Sequence, residues 1–136
     1  MGLFDTFFGK GKTSSEVKRK KVNWVPLESE GQLKEIQEKS FRRPQLIFKH
    51  STSCGISRMV LGGFENNFPL GTEDADLYYL DLLRYRNVSN AVADVFGVVH
   101  QSPQLLAVVK GEVVLHDSHG GINNLDLREL PTDTTS

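Results

Sequence analysis

From Asn23 onward, apolar residues fall in short runs separated by charged or turn-forming stretches, and the spacing within each run assigns its element. Trp24-Val25-Pro26-Leu27 reads as a short edge strand or extended lead-in, because Pro26 lacks the N–H that a sheet interior needs. Glu28 to Ser40 sets Leu33, Ile36 and Gln37 amid charge, a narrow helical stripe. Ser29 is its N-cap, with Gln32 at capping-box spacing. Pro44 stops that helix, and Gln45-Leu46-Ile47-Phe48-Lys49 is the short apolar run of a buried central strand. Met59, Val60, Leu61, Phe64 and Phe68 then supply an apolar face at near-helical spacing. Gly62-Gly63 interrupts it, each glycine costing a helix about 1 kcal/mol relative to alanine unless close packing compensates.

Pro69, Gly71, Glu73, Asp74 and Asp76 mark a loop, and Leu77 to Leu83 reads as a second central strand in which Asp81 faces a sheet end or a polar partner. Val88 to Phe96 is helical, capped by Asn87 or Ser89 and ended by Gly97. Leu105 to Val109 and Val113 to His116, divided by Lys110-Gly111-Glu112, form a hairpin. After a polar glycine loop from Asp117 to Gly121, Ile122, Leu125, Leu127 and Leu130 predict a last helix before Pro131. This alternation, ending in an antiparallel hairpin, predicts an α/β fold with a mixed central sheet and helices on both faces. The domain spans 23–131, between a flexible apolar and basic tail at 1–22 and a disordered tail at 132–136.

Composition narrows the chemistry. At 136 residues the chain is long enough for one domain with a real core. A net charge of -1 with 24% charged residues gives no reason to expect a nucleic-acid partner. The 4 His and 1 Cys make no zinc-like spacing, so no metal site is expected, and His100, His116 and His119 are scattered. One cysteine excludes an internal disulfide framework and suits a reducing compartment, which makes the cytoplasm the default location. Gly2 to Gly9 is apolar and is followed by Lys10, Lys12, Lys18, Arg19, Lys20 and Lys21. That segment is too short to span a membrane and has the wrong order for a secretory signal. Met1-Gly2 with Thr6 formally fits a loose N-myristoylation pattern. It reads as a mobile tail; the alternative is a weak membrane-surface or partner contact through Phe4, Phe7 and Phe8.

Cys54 is the candidate reactive group, because it lies between a strand and a helix among Ser, Thr, His and Gly. A thiol at a helix start meets unpaired N–H groups and the positive end of the helix dipole, which favour the thiolate. Lys49 and His50 are the nearby cationic candidates, each with a plain surface role as the alternative; the N–H groups of Ile56 and Ser57 are candidate donors to the sulfur. Ser57 stands where a second cysteine would resolve an intermediate, so any redox cycle must pass through a mixed disulfide with another molecule. A Cys-His hydrolase is disfavoured, since nothing in the sequence marks a base and an orienting third group.

These residues carry a family resemblance. A Cys opening the second helix, Ser102-Pro103 before the hairpin and Gly120-Gly121 before the last helix resemble a thioredoxin fold over about Trp24 to Leu130. Within it, Phe48-Lys49-His50-Ser51-Thr52-Ser53-Cys54-Gly55-Ile56-Ser57 resembles the monothiol bacilliredoxins of the bacillithiol redox system. Gly55 departs from the proline of the commonest family form, and Cys54-Gly55-x-Ser57 is also similar to monothiol glutaredoxins, with Ile56 replacing their Phe. The resemblance implies a single-cysteine oxidoreductase whose partners are S-thiolated client proteins and a low-molecular-weight thiol. It implies no bound cofactor, with bacillithiol as co-substrate. It also implies a cis Pro103 that pairs the segment before it with extended substrate. Around catalytic Cys54 and Ser57, the substrate-binding residues would be Lys49, His50, Thr52, Ser53, Gly55, Ile56, Ser102 and Pro103. Gly120 and Gly121 would offer N–H groups to a carboxylate of the small thiol or form a plain turn that needs positive φ. Two rival functions stay open: a glutaredoxin-like iron–sulfur carrier ligated by Cys54, and a redox-inactive interaction domain.

Overall fold

A computed structural model of the chain describes residues 22–70 and 74–130. The expected tails at 1–22 and 132–136 lie outside the described residues except for Val22, which packs against the core and so belongs to the domain. In chain order the elements are β1 (Trp24–Pro26), α1 (Gly31–Lys39), β2 (Gln45–His50), α2 (Gly55–Asn67), β3 (Asp76–Asp81), α3 (Arg86–Phe96), β4 (Gln104–Val109) and β5 (Glu112–Ser118). The sheet order is β1-β3-β2-β4-β5; β1 and β2 run parallel to β3, while β2–β4 and β4–β5 are antiparallel. No described helix is long and apolar enough to cross a membrane.

Side-chain alternation along the strands divides the core between two faces. Leu46 and Phe48 of β2 join Leu105 and Ala107 of β4 beneath Val60, Phe64 and Phe68 at α2. Ile47, Leu106 and Val108 point the other way and meet Leu33 and Ile36 of α1 with Val88 and Val92 of α3. β2 is buried at every position, as its near-continuous apolar pattern requires. Pro26 sits on the edge strand β1, where its missing N–H is harmless.

Several element ends differ from expectation, each for a local reason. α1 takes Glu30 as N-cap, and Gln32 Oε1 accepts from the N–H groups of Glu28 and Ser29 at 2.8 and 3.0 Å. The reach-back half of the capping box therefore forms without Ser29 as cap. β3 begins at Asp76, whose carboxylate accepts from Gln45 Nε2 at 2.7 Å and meets Arg43 at 3.4 Å, and it ends before Leu82 and Leu83. α3 starts at Arg86 after the N-cap Tyr85, leaving Asn87 and Ser89 within the helix. Gly97 ends it in the left-handed conformation, φ 68°, as its position implied.

The predicted last helix is instead two 3₁₀ turns, His119–Asn124 and Leu127–Glu129. Asp126 interrupts the apolar spacing between them and caps the second turn by accepting from Arg128 N–H at 3.2 Å. Polar side chains that bond local backbone compete with helix in this way. α2 runs through Gly62-Gly63 without a break. A Cβ on Gly63 would lie 2.8 Å from Asn123 Nδ2, so this glycine admits the 3₁₀ segment against the helix.

Candidate functional site

The end of β2 delivers the chain to Cys54 through a tied loop. Cys54 N–H donates to Ser51 C=O and Arg58 N–H donates to Cys54 C=O, both at 3.1 Å, so the loop closes directly into α2. Cys54 is the N-cap of α2, with extended backbone (φ -106°, ψ 121°), and is partly exposed. Its side chain accepts no capping bond from the helix. Thr52, Ser53, Gly55 and Ile56 are exposed around it, and Arg58 Nη1 donates to Thr52 C=O at 3.1 Å. A Cβ on Gly55 would meet nothing within 4 Å, leaving the first helical position open to proline.

Ser57 is fully buried one helical turn below the sulfur's position in the chain. Its Oγ lies 2.7 Å from His50 Nδ1 and accepts from Ser51 N–H at 3.2 Å, so the hydroxyl ties β2, the loop and α2 together. His50 is 2% exposed, not a surface residue, and stands opposite Asp81 in the parallel β2–β3 register. Asp81 Oδ1 is buried without a hydrogen-bond partner. Burial lowers the His50 pKa; Asp81 and Glu65 oppose that shift and Arg58 adds to it.

Lys49 is 0% exposed and its side chain leaves the Cys54 side of the sheet altogether. Alternation along β2 turns it toward α3, where Nζ donates to Ser89 C=O at 3.2 Å and lies 3.2 Å from His100 Nδ1. Ser89 Oγ reaches the same His100 nitrogen at 3.2 Å. Burial pushes the Lys49 pKa down to about 8. The expected pair of cations flanking the thiol is therefore split between two faces, both side chains buried.

The Ser102–Pro103 peptide is cis, as the resemblance implies. Because Lys49 pairs with Gln104, buried Pro103 lies beside the end of β2 from which the Cys54 loop departs. Pro103 C=O accepts from His119 N–H at 3.0 Å. Gly120 and Gly121 fall inside the first 3₁₀ turn, and a Cβ on Gly121 would meet the Asp117 carboxylate. Neither glycine takes a positive φ, so the turn reading that needs one does not hold, and the carboxylate already packed against Gly121 argues against an anion site. Among the described residues, no cluster of three or more His, Cys, Asp or Glu is placed to hold a metal ion.

Sequence reasoning missed three groupings. Met59, read as part of the buried face of α2, is 74% exposed; with Ile56, 60% exposed, it forms an apolar strip beside Cys54. Val60 and Phe64 set the buried face, and Met59 is rotated away from it. The His50–Ser57–Asp81 and Lys49–Ser89–His100 groupings were also missed, since each joins residues distant in sequence.

Three comparisons bear on this site. The family model for monothiol bacilliredoxin BrxC matches residues 25–127. A solved structure described as a proposed oxidoreductase with a thioredoxin fold is 35% identical, covering 74% of this chain and 86% of that one, with a TM-score of 0.64. Oxidized thioredoxin O1 from Arabidopsis thaliana is 16% identical, covering 79% and 96%, at 0.61. Schistosoma mansoni thioredoxin is 17% identical, covering 74% and 87%, at 0.58. The last two establish the thioredoxin fold.

Proposed function

The chain belongs to the monothiol bacilliredoxin family and has a thiol redox role, and we propose that its reaction is the removal of bacillithiol from mixed disulfides on client proteins by Cys54 alone. The observation that carries this reading is the position of the one cysteine: partly exposed, at a helix N-cap, on the loop that leaves β2 where cis-Pro103 adjoins that strand's end. The Cys54 thiolate attacks the bacillithiol sulfur of the mixed disulfide. A bond forms between those two sulfurs as the client–bacillithiol bond breaks, and the client sulfur leaves with the electron pair and takes up a proton. A second small thiol then attacks the adduct, restoring Cys54 and leaving as a disulfide of two small thiols. No internal resolving thiol takes part.

Thr52, Ser53, Gly55 and Ile56 meet the substrate, since they are the exposed residues around the sulfur, and the Ser102-Pro103 segment pairs with the extended client chain. His50 acts from beneath this surface, whereas Lys49 is buried on the opposite face of the sheet. The reaction takes place in the cytoplasm, where client thiols are kept reduced, and any membrane contact belongs to the N-terminal segment.

The test uses wild type and Cys54→Ser with a reporter protein blocked by bacillithiol or, separately, by glutathione. Wild type should release the bacillithiol reporter faster and gain one bacillithiol by intact mass, and the variant should do neither. Failure on both reporters without an adduct would sink the catalytic reading; brown colour after anaerobic purification would favour the iron–sulfur carrier.

A further inference from the structure

We propose that His50 is a positioning residue that controls which group the buried Ser57 hydroxyl serves, and through it the reactivity of Cys54. A hydroxyl has one proton to donate and two acceptor sites. One acceptor site of Ser57 Oγ is already used by Ser51 N–H, and His50 Nδ1 lies at 2.7 Å. With His50 neutral and its proton on Nε2, Nδ1 is an acceptor and the Ser57 proton points at it. With His50 protonated, Nδ1–H becomes a donor to the second acceptor site of Ser57. The Ser57 proton is then released to turn elsewhere. Ser57 occupies the third position of α2 and Cys54 is its N-cap, so the two residues belong to the same first turn of the helix. On this proposal the released O–H turns toward the Cys54 thiolate and donates to it.

Asp81 supplies the reason for His50 to gain a proton inside the fold. It is opposite His50 in the β2–β3 register, and its Oδ1 is buried without a partner. The other groups facing His50 are Tyr79 on β3, with ring centroids 5.4 Å apart, and Arg58 and Glu65 on α2. Burial holds His50 below its ordinary 6.5, so the switch operates on the acid side of neutrality. The inference rests on Cys54 being the nucleophile but not on the identity of the small thiol.

Alkylation of Cys54 in the full chain by iodoacetamide, followed from pH 5 to 9, reads the sulfur directly. An isolated thiol loses about tenfold in rate per pH unit below its own titration, since only the thiolate reacts. Wild type should instead show a shoulder below about pH 6.5, the ordinary histidine value, with the rate falling less steeply there. His50→Asn keeps an acceptor near Nδ1 but cannot titrate, and should remove the shoulder while leaving the fold intact by circular dichroism. Ser57→Ala should remove it too, Ser57→Thr should restore it, and Asp81→Asn should move it to lower pH. A shoulder that survives in Ser57→Ala means that the His50 charge acts through space, which overturns the hydroxyl relay. A wild-type profile with a single step overturns the whole inference. Loss of bacillithiol removal with an intact shoulder would instead sink the proposed reaction and leave this device standing.

Discussion

Lys49 shows how one side chain's direction changes its role. As a cation beside the thiol it would help hold a thiolate; buried against α3, it is a charge kept in the core by one carbonyl and one imidazole. His100 must present a lone pair to Lys49, and its own pKa is lowered by burial, by Lys49 and by Arg86. In the unfolded chain Lys49 titrates near 10.5 and in the fold near 8, so between those values the unfolded chain binds more protons and stability rises with pH. Below pH 8 the cost of the buried charge is fully present, on the order of 1–3 kcal/mol. Urea unfolding between pH 7.5 and 9, below the tyrosine range, should therefore show wild type gaining stability, with Lys49→Met flat over the same range. A variant as pH-dependent as wild type would place the cause elsewhere.

At the scale of elements, α2 brings Cys54 and Ser57 to the end of β2, and its glycines have separate reasons. Gly62 has open space around its Cα, whereas Gly63 faces Asn123, whose Nδ2 also donates to Val60 C=O at 3.4 Å. Gly62→Ala should stabilise the protein by roughly 0.5–1 kcal/mol, the usual helix-interior difference. Gly63→Ala should gain less or lose, because the Asn123 amide must shift from its place. Equilibrium denaturation of the two variants checks this contrast. Equal gains would mean that the 3₁₀ segment does not constrain the helix. The glycine pair was visible in the sequence as an anomaly, but its explanation lies in a residue some sixty positions later, which helical periodicity alone does not bring near.

For the whole molecule, two imidazoles on opposite faces of the sheet, His50 and His100, both have lowered pKa values with burial as the leading cause. As pH falls below their ordinary 6.5, the unfolded chain takes up protons that the fold resists, so stability declines. Urea midpoints measured at pH 5 and 7 should show wild type weaker at pH 5, and the double variant His50→Asn with His100→Asn should lose much of that difference. Local pattern was enough for the α/β order, the buried β2, the edge position of β1, the hairpin and the place of Cys54 at a helix start. Periodicity, proline and glycine act over a few residues, so they can be read without knowing what packs against them. Long-range pairing alone settled that Lys49 and His50 are buried on opposite faces, that Asp81 stands beside His50, and that Asn123 faces Gly63. Those placements depend on strand register and on the path of distant loops, and a shift of one residue in register would exchange the two faces.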